Sequence, residues 1–299
     1  MLKNYLKTKR ELVDSNIEYH LNKLEYPNVI AEGMRYSVLN GGKRLRPILL
    51  LMVLELFNKK IDLGLPIAVA IEMIHSYSLV HDDLPALDND EYRRGKLTTH
   101  KKFGEAEAIL IGDALLTHSF SVVADETKGI TPDKLIKIIG MISRYAGING
   151  MIGGQTVDIE SEKKRVSLET LKYIHENKTG KLIKLPIEIG AIISDATEEE
   201  YKAEEKYANG IGLAFQIKDD ILDIEGDFEK IGKPIGSDLE LEKTTYPSIF
   251  GIEKSKEILN EVISDAKRSL NIFSKEKVQI FLELADYIGI RGLIKFTKG

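Results

Sequence analysis

Apolar residues recur every three to four positions along most of this chain, and alternating runs rich in β-branched residues are few. The pattern predicts helices, or broken helical pairs, over 4–23, 29–39, 45–57, 65–84, 105–124, 132–158, 167–194, 198–224 and 256–290. Pro132 after Thr131 has the form of a cap followed by proline in the first turn, and Pro47 sits early in its helix. Gly41-Gly42, 125–131 and the stretch 226–239, with Gly226, Gly232, Pro234 and Gly236, read as loops. No repeat of fixed period is visible. The expected fold class is all-α, a large helical bundle forming a single domain over 1–299, because no long Pro/Gly/Ser-rich linker divides the chain.

Composition narrows the function classes. The 299 residues are 43% hydrophobic and 30% charged, which suits a folded core. With 42 Lys and Arg against 47 Asp and Glu, the chain carries no global basic footprint for nucleic acid. Cysteine is absent, so disulfides, thiolate metal sites and a cysteine nucleophile are excluded. No uninterrupted apolar run approaches the roughly 18 residues of a transmembrane segment, and the basic start Met1–Arg10 has no apolar run behind it, so cytoplasmic residence is expected.

Two acidic clusters carry the candidate chemistry. Gln216, Asp219, Asp220 and Asp223 stand at i, i+3, i+4 and i+7, a spacing that gathers them on one helix face, with Phe215, Ile217 and Ile221 as apolar flanks. Such carboxylates repel unless a cation neutralises them, and hard oxygen donors suit magnesium completed by phosphate oxygens and water. The other cluster, Asp82, Asp83 and Asp88, closes an apolar helix; Pro85 redirects the backbone before Asp88, giving a cradle at a helix end. Negative charge at a helix carboxyl terminus is unfavourable, and a metal would relieve it.

Basic elements accompany both clusters. Arg93-Arg94 follows the first, and guanidinium forks suit phosphate oxygens, although such a pair alone is more often a solvated patch. Lys43 and Arg46 stand three residues apart at the entrance of the expected helix in G-G-K-R-L-R-P, and K-T-G at 178–180 adds Lys178 and Thr179. No nucleotide-binding G-x-x-x-x-G-K-[ST] is present. His75 fits a phosphate contact or a satisfied buried histidine equally, and His81 reads as structural, since imidazole suits zinc better than magnesium.

Taken in order, G-G-K-R-L-R-P (41–47), H-D-D-L-P-A-L-D-N-D (81–90), R-R-G-K (93–96), G-G-Q (153–155), K-T-G (178–180), F-Q-I-K-D-D-I-L-D (215–223), G-K-P-I-G-S-D (232–238) and K-T-T-Y-P (243–247) resemble the trans-isoprenyl diphosphate synthases. The resemblance implies the isoprenoid synthase fold, a homodimer, and acidic sequences facing one another across a deep cavity. It implies Asp82, Asp83, Asp88, Asp219 and Asp223 as ligands of magnesium, three ions per active site with manganese able to substitute, and Asp220 as a supporting carboxylate. Arg93, Lys178, Thr179, Gln216 and Lys233 become the allylic diphosphate set, and Lys43, Arg46, His75 and Arg94 the isopentenyl diphosphate set. Arg291 fits the family's late arginine only loosely.

What the resemblance implies mechanistically is ionisation of an allylic diphosphate, attack by the isopentenyl double bond and loss of a proton, with electrostatic positioning as the protein's contribution. Tyr77 and Ser78, five and four residues before Asp82, would line the chain-length pocket. An aromatic there, with the Pro-Ala insertion before Asp88, matches bacterial enzymes of the family making the fifteen-carbon farnesyl diphosphate. Rival readings are a geranylgeranyl diphosphate synthase, a terpene cyclase, which needs no second diphosphate site, and a noncatalytic helical subunit.

Overall fold

The computed structural model describes residues 1–225 and 243–290, whose regular elements are helices apart from one short hairpin. They divide into two compact units, Met1–Gly140 with Ile192–Ser194, and Met141–Ala191 with Asp195 onward.

In the first unit, helices α1 (Leu2–Leu21), α2 (Asn28–Leu39), α3 (Leu45–Leu56), α4 (Leu65–Asp82), α5 (Thr99–Phe103) and α6 (Glu105–Glu126) follow one another. Ile48 to Leu54 of α3 and Ile67 to Ile74 of α4 are buried without a break, so both helices are wrapped on all sides, as apolar residues around the whole circumference require. α4 packs on α1, α2, α3 and α6. Gly33 on α2 lets Ile111 of α6 approach so closely that a Cβ at Gly33 would lie 2.1 Å from its Cδ1. Pro47 occupies the third residue of α3, where no intrahelical N–H is lost.

A two-stranded antiparallel hairpin, β1 (Tyr92–Arg93) and β2 (Lys96–Leu97), follows the first acidic cluster. Arg94 and Gly95 between them have φ of 55° and 78°, the paired left-handed conformation of a tight hairpin turn. Among the described residues α6 is the one helix long and apolar enough to cross a bilayer, a test that buried core helices also pass, and α6 packs against α2, α4 and α5.

α7 (Pro132–Ala146) and α8 (Met151–Glu160) are the two halves of the expected broken pair 132–158. In the second unit α9 (Leu168–Ile174) runs into a π-helical turn, His175–Gly180, and then into α10 (Lys181–Ser194). α11 (Glu198–Glu225) is the long central helix, packed on the π-helical turn and on the helices Tyr246–Phe250, Ile252–Ser269 and Lys275–Ile290. Tyr207 on α11 is fully buried, donates to the Phe281 carbonyl at 2.7 Å and meets the Phe281 ring edge-on. Gly210 fits the same helix against Ala266, whose Cβ would be 2.6 Å from an added Cβ.

Candidate functional site

α4 ends at Asp82, two residues before the expected boundary, and the chain turns through Leu84 N–H to His81 O and Asp88 N–H to Asp82 O. That turn separates the three carboxylates by exposure: Asp88 is exposed, Asp82 half-buried and Asp83 buried. Asp83 receives Arg93 Nε at 2.6 Å, and the same guanidinium reaches Asp90 at 3.4 Å. Burial raises the Asp83 carboxyl, with Arg93 partly offsetting it.

The G-G-K-R-L-R-P segment is organised by an arginine outside the expected set. Arg44 takes a left-handed backbone at the start of α3, φ 51°, and turns its guanidinium inward. There it donates to Asp14 at 2.6 Å, Glu72 at 2.9 Å, the Val38 carbonyl at 2.7 Å and the Gly41 carbonyl at 3.0 Å. Arg94 also donates to the Gly41 carbonyl. Gly42 lies between the two guanidiniums: a Cβ there would be 2.7 Å from an Arg94 nitrogen and 3.0 Å from an Arg44 nitrogen.

With Arg44 holding the loop, Arg46 and Arg94 come within electrostatic reach of each other and of His75. Burial and the Arg94 charge pull Arg46 down to about 10, against the pull of Glu72, and its Nε is buried without a hydrogen-bond partner. Burial and then Arg46, Arg94, Arg93 and Arg44 push His75 well below the usual imidazole range, so it is neutral at pH 7. Arg94 is likewise lowered, by burial first. Lys43 of the same segment is exposed. A shallow recess bordered by Asn40, Ser76, Asp83, Arg93, Arg94 and Thr98 lies beside this group.

Further back on α4, Tyr77 is buried, its hydroxyl has no hydrogen-bond partner, and its ring meets His81 edge-on at 5.7 Å. Ser78 donates to the His75 carbonyl at 2.8 Å. His81 Nε2 lies 3.1 Å from the Ile109 carbonyl of α6, above Gly112, which agrees with its structural assignment.

In the second unit α11 does not present its acidic residues alike. Asp219 is exposed and Gln216 and Asp223 are half-buried, whereas Asp220 is buried and accepts the Tyr246 N–H at 2.8 Å. His175 Nε2 lies 3.7 Å from Asp220, and the imidazole stacks on Tyr246. Burial pulls His175 down to about 4. Lys178 and Thr179 belong to the π-helical turn and are half-buried, with Lys178 donating to Asp158 at 2.7 Å. Lys243 donates to the same Asp158 oxygen at 3.1 Å. Lys233 and Arg291 lie outside the described residues.

Arg44, Asp158 and Lys243 are functional candidates that the motif reading passed over. Arg44 stood inside a quoted motif, Lys243 opened K-T-T-Y-P, and Asp158 follows Gly154 by one helical turn. Gln155 of G-G-Q is half-buried on α8.

Among the described residues no group of three or more His, Asp or Glu side chains is gathered closely enough to enclose a metal ion. Oxygen donors spread over helix ends and an exposed helix face fit magnesium nonetheless, because it takes one or two carboxylates and completes its shell with water and phosphate oxygens. Asp82, Asp88, Asp219 and Asp223, all at least partly accessible, are the carboxylates of that kind.

The comparisons agree with the motif order. The polyprenyl synthetase family model matches residues 27–280. The chain is 43% identical over 291 residues to a farnesyl diphosphate synthase of Bacillus subtilis, covering 97% of this chain and 98% of that one. It is 42% identical over 288 residues to a geranylgeranyl diphosphate synthase of Cyanophora paradoxa, covering 96% and 95%. A crystal structure of an FPP/GFPP synthase from Zymomonas mobilis superposes with a TM-score of 0.86 at 36% identity, covering 96% of this chain and all of that one. Motifs, helical fold and relatives thus converge, and the chain belongs to the trans-isoprenyl diphosphate synthases, close to the bacterial farnesyl and geranylgeranyl diphosphate synthases.

Proposed function

We propose that this prenyltransferase condenses isopentenyl diphosphate head-to-tail with dimethylallyl and then geranyl diphosphate, releasing diphosphate and giving farnesyl diphosphate. The observation that carries the reading is the group Arg46, Arg94 and His75, because the two buried carboxylates that act on its guanidiniums, Glu72 and Asp83, are already paired with Arg44 and Arg93. A diphosphate supplies the missing anion. A terpene cyclase has no use for such a second anion site, which favours the condensing enzyme.

In this reading Lys43, Arg46, His75 and Arg94 hold isopentenyl diphosphate, the neutral imidazole donating one N–H to a phosphate oxygen. Arg93, Lys178, Thr179, Gln216 and Lys233 hold the allylic diphosphate. Asp82, Asp83, Asp88, Asp219 and Asp223 would hold magnesium, directly or through water, with Asp220 supporting the stripe. Magnesium, when bound, neutralises charge developing on the departing diphosphate. The cations placed around that group stabilise the same charge as the allylic C–O bond breaks. The isopentenyl double bond then attacks the allylic carbon, and the proton lost afterwards passes to the released diphosphate. Tyr77 and Ser78 border the pocket for the growing tail. The protein works as a cytoplasmic homodimer, a reading that the exposed Ile109 and Leu110 on α6 support.

Product length admits a second reading, because farnesyl and geranylgeranyl diphosphate synthases resemble the chain almost equally. Purified protein incubated with magnesium, isopentenyl diphosphate and each allylic diphosphate separately decides between them. Fifteen-carbon product from dimethylallyl and geranyl diphosphate, with farnesyl diphosphate left unextended, is expected. Extension of farnesyl diphosphate to twenty carbons gives the second reading, and release of a hydrocarbon removes both.

A further inference from the structure

Gly154 allows α8 to lie directly on the π-helical turn: a Cβ at this position would sit 2.2 Å from the Lys178 backbone nitrogen. Asp158, one turn further along the same face, is thereby brought to the Lys178 side chain. Its Oδ2 accepts from Lys178 at 2.7 Å and from Lys243 at 3.1 Å, so the two ammonium groups are at most 5.8 Å apart. The Lys243 end is itself anchored, because Thr244 accepts the Val166 N–H, Thr245 caps the helix Tyr246–Phe250, and Tyr246 donates its N–H to Asp220. Three segments distant in sequence therefore meet at one mostly buried carboxylate oxygen.

We propose that Asp158 is a positioning residue for allylic diphosphate binding, holding Lys178 beside Lys243 at a spacing that their mutual repulsion would otherwise prevent. The inference rests on the reading of Lys178 as an allylic diphosphate contact. Two ammonium groups this close repel strongly outside bulk water, and the shared Asp158 carboxylate offsets that repulsion, with Glu162 a looser partner 3.8 Å from Lys243. The opposing effect is competition, since Asp158 draws on the same ammonium protons as a diphosphate does. Preorganisation dominates because a flexible lysine freed from Asp158 must be ordered again in every turnover.

The test compares Asp158→Asn, Asp158→Glu, Lys178→Ala and the Asp158→Asn/Lys178→Ala double variant in steady-state kinetics, with inorganic diphosphate binding and thermal unfolding measured alongside. Asp158→Asn is expected to lower allylic kcat/KM by about 10-fold or more, with KM for isopentenyl diphosphate within about 2-fold of the parent. The basic limb of its pH profile should move to lower pH, because the two ammonium groups then face each other without the carboxylate. In the Lys178→Ala background the same substitution should add less than about 3-fold. Asp158→Glu, which keeps the charge but displaces it, should fold and recover part of the loss. Multiplicative losses in the double variant, equal losses on both substrates with a lowered melting temperature, or tighter inorganic diphosphate binding at undiminished kcat would each overturn the proposal. An unchanged allylic kcat/KM in Lys178→Ala removes the underlying assignment of Lys178, and that single variant distinguishes this failure from a failure of Asp158.

Discussion

The two units gather cations and balance them in opposite ways. In the first, Arg44 is saturated by Asp14, Glu72 and two carbonyls, while Arg94 lowers the proton affinity of Arg46 and both lower that of His75. In the second, Asp158 already stands between Lys178 and Lys243. An anion entering the first group relieves repulsion stored in the fold. One entering the second meets cations whose repulsion the fold has already offset. An ammonium on a flexible four-carbon stem is also less pre-organised than a planar guanidinium, which explains why the two lysines need a fixed carboxylate and Arg46 does not.

The largest expected effect lies on the acidic stripe next to the second group. Asp219→Ala should lower kcat by about 10²–10³-fold, the range for loss of one electrostatic stabiliser, while far-UV circular dichroism stays native because alanine is the strongest helix former. Rigorous chelation of magnesium should abolish turnover in the parent enzyme, and added magnesium or manganese should restore it. Near-native turnover in Asp219→Ala would take this carboxylate out of the chemistry.

The contrast between neighbouring arginines is sharper and smaller in effect. Arg44→Ala leaves Glu72 buried without its partner and should cost about 3–5 kcal/mol of stability in urea unfolding. Arg46→Ala removes a repelled charge and should change stability by no more than about 1 kcal/mol, yet raise KM for isopentenyl diphosphate about 10-fold or more. Allylic KM should hardly move. A destabilised Arg46→Ala beside a stable Arg44→Ala would exchange the roles assigned to the two residues.

That contrast also marks where the sequence was legible. Apolar periodicity over 45–57, 65–84, 105–124 and 198–224 was long enough to reveal the buried helices α3, α4, α6 and α11 within a few residues of their ends. The motifs likewise named Arg46, Arg94 and His75, which the fold brings into mutual electrostatic reach. They could not say that Arg44 turns inward, since that depends on a left-handed backbone at a residue other than glycine. The π-helical turn at 175–180 was hidden because one widened turn barely disturbs a helical pattern. The hairpin was hidden because two residues per strand show no alternation, although Arg-Gly at its tip was a turn signal. Asp158 has a single acidic neighbour at helical spacing, Glu162, too little to mark a stripe, and its partner Lys243 lies far along the chain, so pairing was visible only in three dimensions.

Histidine extends the comparison to pH. His75 is lowered by burial and by surrounding arginines, His175 to about 4 mainly by burial, so both are neutral in the folded protein at pH 7. An imidazole whose folded value is depressed leaves the unfolded chain binding more protons between about pH 6.5 and 4, and stability falls as pH falls through that window. His175→Phe keeps a ring against Tyr246 and removes the titration. Its urea midpoint should therefore decline less between pH 6.5 and 4 than that of the parent. Parallel declines in the two proteins would show that His175 does not contribute to the acid limb.

Tyr77 lies outside both cation groups, and its substitution should alter what is made rather than how fast. Five residues before Asp82, it is about 7.5 Å along α4 and about 140° around it, while Ser78 lies one turn behind Asp82 on nearly the same face. The Tyr77 ring stands against His81, where its hydroxyl has no partner and burial raises its pKa to about 12. A hydroxyl that bonds to nothing contributes little, so Tyr77→Phe should leave both stability and product length unchanged. The ring itself fills space that a lengthening tail would enter if the pocket follows α4 away from the carboxylates. Tyr77→Ala should cost about 3–5 kcal/mol through the cavity it leaves, and shift product from fifteen towards twenty or more carbons. Dephosphorylated products resolved by mass spectrometry under excess isopentenyl diphosphate read the shift directly. An unchanged fifteen-carbon distribution in a folded, active Tyr77→Ala protein would move the stop to Ser78 or to the facing side of α6.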